Sequence, residues 1–153
     1  MAKKSEPAPL TAHVGYWMRF VSNHVSREFA RQLEVRGVSV PEWAIMRELY
    51  DAEQILPSVL AERIGVTRGA VSKIVDRLVA KKIALRVKPE GDGRLQAVRL
   101  TPSGRRLLPG LAAIADANDA RFFDHLKPEQ RAELVRLLRS VAERHGLKGI
   151  AID

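Results

Sequence analysis

Apolar residues recur at helical spacing through the first quarter of the chain: Val14, Met18, Val21, Val25, Phe29 and Leu33 predict a long amphipathic helix over residues 11–36. Gly37 is its expected stop. A second, shorter helix starts near Pro41 and carries Trp43, Met46 and Leu49. A third spans 57–64 and ends at Gly65, and a fourth, capped by Thr67, runs to about Lys81. Val66 and Val71 occupy the flanking positions of a hydrophobic staple on that fourth helix. The period then changes from helical to alternating over 83–88 and 95–100. The intervening Pro89-Glu90-Gly91-Asp92-Gly93-Arg94 is turn chemistry, so a hairpin is expected. Ile83, Leu85 and Val87 are assigned to its core face, and Ala84, Arg86 and Lys88 to its outer face. Thr101-Pro102 opens a long helix through Leu107, Leu108, Leu111 and Ile114 to Phe122 and Phe123, with a bend expected at Pro109-Gly110. A last helix begins at Pro128 and carries Leu134, Leu137, Leu138 and Val141.

Within this order, residues 60–74 carry the spacing of two helices crossing at a tight turn. Ala61 is small where the helices meet, Gly65 tolerates a left-handed turn, and Val71 wedges into the crossing. Val71, Ile74, Val75 and Leu78 form the buried stripe of the second helix of the pair. Thr67, Arg68, Gly69, Ser72, Lys73 and Arg77 lie off that stripe, a set of donors suited to the acceptor-rich major groove. The hairpin adds a wing, with Arg86 and Lys88 on a strand and Arg94 at a tip suited to a narrow minor groove. Asp92 stands two residues from Arg94, within reach of an orienting ion pair. Taken singly, each feature also fits a solvated basic helix face or an ordinary turn.

Charge sharpens the picture. The 153-residue chain carries 26 Lys and Arg against 18 Asp and Glu, a net +8. Residues 61–99 hold ten basic and four acidic side chains, a net +6, so most of the excess sits where a DNA footprint would lie. There is no cysteine, which excludes disulfides, thiol chemistry and Cys-ligated zinc. His13, His24, His125 and His145 are scattered without metal-binding spacing, and neither a phosphate loop nor a nucleophile elbow is present. No enzyme, cofactor or metal is therefore expected. No apolar run nears the roughly 18 residues of a membrane span, and the polar start of the chain lacks a signal core. A cytoplasmic protein is the expectation, with residues 1–9 as a flexible tail.

The stretch Asp92-x-Arg94-x3-Val98-x-Leu100-Thr101-x2-Gly104 resembles the wing-to-helix signature of the MarR family of transcriptional regulators. Leu60-Ala61, Gly65-Val66-Thr67, Val71-Ser72, Asp76-Arg77-Leu78, Arg86 and the Trp43…Met46…Leu49 run stand in similar register over about residues 10–145. Two positions depart from it. Lys82 replaces a Gly usual after the recognition helix, and Gly93 replaces a frequent second Arg at the wing tip.

The resemblance implies a mainly α fold with a small β-hairpin over residues 10–153. A winged helix-turn-helix covers about 41–101, and N- and C-terminal dimerisation helices cover about 10–36 and 102–146. It implies double-stranded DNA as partner and a homodimer, with Leu10, Val14, Leu111, Phe122, Leu134, Leu138, Val141 and Leu147 as interface candidates. An ordinary intrachain core is the alternative for these side chains. It also implies repression relieved by a small aromatic or phenolic ligand. For that ligand His13, Tyr16, Trp17, Phe20 and His24 on the first helix, opposed by Met46, Arg47 and Tyr50, form a candidate wall. A ligand-independent architectural or protein-interaction module is the competing reading.

Overall fold

The computed structural model describes residues 6–91, 94 and 96–149. A short 3-10 turn, Leu10–Ala12, precedes six helices and a hairpin: α1 Val14–Val35, α2 Val40–Tyr50, α3 Pro57–Ile64, α4 Arg68–Ala80, β1 Ala84–Val87, β2 Ala97–Leu100, α5 Pro102–Phe123 and α6 Pro128–Arg144. The strands are antiparallel, pairing Ala84 with Leu100 and Arg86 with Val98. Ile55 bridges Val98 on the far side of β2 through N–H···O bonds of 2.9 and 2.8 Å. This third strand position lies in an apolar pair before Pro57 and was not expected from the sequence.

The helix boundaries follow from capping. Ser39 and Glu42 close a capping box at α2, Thr67 accepts from Ala70 N at 3.1 Å at α4, and Thr101 accepts from Gly104 N at 3.0 Å at α5. Helix α5 runs unbroken through Pro109. The missing N–H frees only the carbonyl of Arg105, and Leu108 and Leu111, buried on either side, hold both halves in the core.

The core lies in the winged lobe, where Ile45, Met46, Leu49, Leu60, Val71, Val75, Leu78, Val98 and Leu111 are sealed from solvent. The hairpin meets it with the opposite face to the one expected. Ala84 is fully buried and Leu85 is 41 % exposed. The reason is the exit from α4. Lys82 N–H bonds Val79 O and Ile83 N–H bonds Leu78 O, the two bonds of a Schellman closure, with Lys82 at φ 59°. This closure tucks Ile83 under the helix before the strand starts, which shifts the alternation by one residue. Arg86 consequently shares the core-side face with Ala84, Val98 and Leu100.

Lys82 thus adopts the left-handed geometry that a glycine there would supply without a Cβ penalty. Replacing it by glycine is expected to stabilise the chain by about 0.5–1 kcal/mol, after subtracting the backbone entropy glycine loses on folding. A thermal melt that shifts downward instead would exclude strain at this closure.

Helix α1 is held to α5 by Glu28, whose carboxylate accepts from Arg31, from Gln32 at 2.8 Å and from Arg121 at 2.8 Å. The Arg31 hydrogen bonds, then that of Gln32, hold its pKa at about 2. A depressed pKa means the contact is fully present above the ordinary carboxylate range and is lost only as pH falls through about 2.

Candidate nucleic-acid interface

Helices α3 and α4 meet at Gly65, which ends α3 in the left-handed conformation at φ 79°. Its N–H bonds Ala61 O at 2.8 Å, and Val66 N–H bonds the same carbonyl at 3.1 Å. Ala61 and Val71 are buried at the crossing. Thr67, Arg68, Gly69, Lys73 and Arg77 are exposed on α4 and its cap, and Ser72 is half-buried. At Gly69 an added Cβ would meet only Thr67 Oγ1, at 3.9 Å, so the start of α4 is open to close approach.

Arg86 ties the wing to this face. Arg86 Nη2 donates to Asp76 Oδ1 at 2.7 Å and lies 3.3 Å from both Ser72 Oγ and Ser72 O. A strand residue therefore bridges two positions one turn apart on the polar face of α4. Arg86 is half-buried in that bridge, in contrast to the outward position expected from alternation. Lys88 and Arg94 are exposed farther along the wing. Asp92, Gly93 and Leu95 fall outside the described residues, and with them the expected Asp92–Arg94 pair.

Sequence reasoning missed Glu42. Its carboxylate is buried at 1 % exposure and contacts Lys81 Nζ at 2.7 Å and Arg77 Nε at 3.6 Å. The signal was present as Ser39-x-x-Glu42, a capping-box spacing.

The expected ligand wall is divided. Tyr16, Trp17, Phe20 and His24 form a ladder of ring contacts along α1, with His24 Nδ1 2.8 Å from Phe20 O. His13 sits at the N-cap of α1, its Nδ1 3.2 Å from Pro9 O. Met46 is sealed in the core, and Arg47 is paired with Asp51 and packed over Tyr50. Among the described residues no hydrogen bond, ion pair or ring contact joins the two groups. A cavity of about 680 Å³ instead opens between α1, α5 and α6. Trp17, Met18, Val21, Phe122, Leu134 and Leu138 are among its walls. It shares only Trp17 with the expected set, because the Met18/Val21 stripe turns toward it.

A sequence model described as MarR family matches residues 36–95, from the end of α1 to the wing. The chain is 27 % identical over 130 residues to the HTH-type transcriptional repressor Rv2887 of Mycobacterium tuberculosis, covering 85 % of this chain and 94 % of that protein. Over these stretches the chain is similar to MarR-family transcriptional regulators.

Two solved structures show the same fold. A mutant MarR from E. coli complexed with operator DNA superposes with a TM-score of 0.75 at 22 % identity, covering 84 % of this chain and 92 % of that one. BpsR of Bordetella bronchiseptica, whose DNA binding is regulated by 6-hydroxynicotinic acid, gives a TM-score of 0.78 at 22 % identity, covering 89 % and 97 %. The chain has the winged helix-turn-helix fold, with α4 as the second helix of the pair and the β1–β2 hairpin as the wing.

Proposed function

We propose that this protein is a sequence-specific double-stranded-DNA-binding repressor acting as a homodimer. The observation that carries the reading is the exposed polar face of α4, with Arg68, Lys73 and Arg77, flanked by a basic wing. That face supplies donors for base edges, and the wing supplies cations for phosphate. Thr67, Gly69 and Ser72 complete the groove-facing set, Lys88 and Arg94 contact the backbone or minor groove, and Arg86 holds wing to helix. Repression is supported by the name of the mycobacterial relative.

A homodimer is supported by the surface the single chain leaves uncovered. Helix α6 has no buried residue along its whole length. Leu10, Val14, Val135, Val141 and Leu147 are between 48 % and 76 % exposed. Such a helix needs an apolar face against something to be stable, and a second copy presenting the same face satisfies this. Leu111, an expected interface residue, belongs to the intrachain core instead. The double substitution Leu138→Asp with Val141→Asp is expected to abolish the dimer in sedimentation equilibrium and to weaken operator binding at least tenfold. An unchanged dimer mass would place the interface elsewhere.

The cavity between α1, α5 and α6 falls within the roughly 300–1,000 Å³ of small-molecule sites. Its aromatic and aliphatic walls suit a small aromatic acid or phenol, and because Leu138 belongs both to these walls and to the proposed dimer face, a ligand there would act directly on the contact between the two copies. Such a ligand releases DNA only to the extent that it binds a dimer geometry unable to span the operator. Titration with 6-hydroxynicotinic acid or 2,4-dichlorophenol is expected to perturb the fluorescence of Trp17, half of whose surface is exposed. An unchanged Trp17→Phe-corrected signal, with no loss of DNA binding, would remove these compounds as effectors.

A further inference from the structure

Among the described residues Glu42 is the one fully buried charged side chain. Burying a carboxylate is costly unless its partners are well placed, and here they come from the start of α2 and from the C-terminal part of α4. Ser39 N–H donates to it at 3.0 Å, from the start of α2. Lys81 Nζ donates at 2.7 and 2.9 Å, from the end of α4, and also donates to Gly37 O at 2.8 Å, just past α1. Arg77 Nε lies 3.6 Å away, one turn back along α4. A capping box needs neither charge nor burial, since glutamine closes it equally well. The negative charge therefore answers to Lys81 and Arg77.

We infer that Glu42 is a positioning residue for DNA recognition. Its carboxylate clamps the C-terminal end of α4 to the α1–α2 turn, and it turns Arg77 so that Nε faces inward and both terminal nitrogens remain for DNA. Reading base edges demands that the helix be held to within about half an ångström, and α4 is held at its other end by its Thr67 cap and the Gly65 turn. This inference rests on α4 being the DNA-reading helix.

The sign of one substitution separates positioning from bystander charge. Glu42→Gln keeps volume and capping box but removes a negative charge near polyanionic DNA. If Glu42 merely sat nearby, binding would tighten or stay the same. If it positions α4, binding weakens despite the more favourable net charge.

The full-length chain is compared with Glu42→Gln, Lys81→Met and the double variant. Duplex affinity is measured by anisotropy, and backbone amide exchange is followed in the DNA-free protein. The expected result is a roughly five- to twentyfold loss of affinity in Glu42→Gln. Exchange at residues 78–83 should be at least tenfold faster in each variant, and the double variant should be no worse than the weaker single one. Equal or tighter binding by Glu42→Gln overturns the proposal. So do additive losses, which make Lys81 an independent phosphate contact, and so does unchanged exchange. Should Glu42→Gln not fold, exchange in Lys81→Met, whose cation is partly exposed, decides the matter by the same criterion. Absence of duplex binding by the unsubstituted chain would be seen first, and it overturns the repressor reading rather than the clamp.

Discussion

Replacing Arg68 and Lys73 together by alanine is expected to lower operator affinity by roughly 10²–10³-fold, with selectivity between operator and random duplex largely lost. Both side chains project from the first turns of α4, the part of a recognition helix that reaches base edges. Both are exposed, and among the described residues neither has a hydrogen-bond or ion-pair partner, so removing them leaves the fold's contacts intact. The thermal midpoint should stay within about a degree or two. The contrast with Lys88→Ala is diagnostic. A phosphate contact on the wing weakens all duplexes alike and lowers the salt slope by about 0.9. If the Arg68/Lys73 variant loses affinity equally for every sequence, α4 is not reading bases.

Gly104→Ala is expected to destabilise the protein by about 3 kcal/mol or more, equivalent to a fall in Tm of about 6–12 °C for a chain of this size. An added Cβ would stand 2.2 Å from Ile83 O, 3.1 Å from its carbonyl carbon and 3.2 Å from its Cγ2. The obstacle is backbone, which has little room to move. Ile83 O also accepts from Thr101 N at 2.9 Å, and Thr101 Oγ1 bonds Lys82 O at 2.8 Å. The start of α5 is thus pressed onto the exit of α4, and prising them apart breaks the cap of one helix and the closure of the other. Gly69→Ala is the control with opposite sign. Its Cβ has open space, and alanine is favoured over glycine within a helix by about 0.8–1 kcal/mol, so the fold should become more stable. Equal effects of the two substitutions would show that helix propensity, and not the α4–α5 junction, sets the requirement for glycine at 104.

Element order and helix ends were legible because capping chemistry is local. Thr67, Gly65, Pro57 and Thr101-Pro102 sit within a residue of the boundaries they signal. The face of the wing was not legible. Alternation of Ile83, Leu85 and Val87 has the pattern of a core face, yet the left-handed Lys82 spends Ile83 on closing α4, so the strand starts one residue later with Ala84 inward. A departure at Lys82 was visible in the sequence. Its geometry was not, since lysine rarely adopts that conformation.

Long-range partners were equally hidden. Glu42 meets Lys81 across 39 positions and Arg86 meets Asp76 across ten, and no spacing rule links them. Along α1 the apolar stripe has the pattern of one continuous core face. Only its C-terminal end is buried within the chain, at Leu33 with 0 % exposure, while Val14 remains 76 % exposed. Periodicity identifies an apolar face without saying which chain covers it.

Selection of bound sequences from a randomised duplex library, followed by competition against scrambled DNA at physiological salt, tests the groove assignment of α4 most directly. The expected outcome is a pseudo-palindrome with half-sites about 10–10.5 bp apart, preferred by about 10³-fold or more over scrambled duplex. Uniform affinity for all duplexes, or an enriched site without two-fold symmetry, would contradict it.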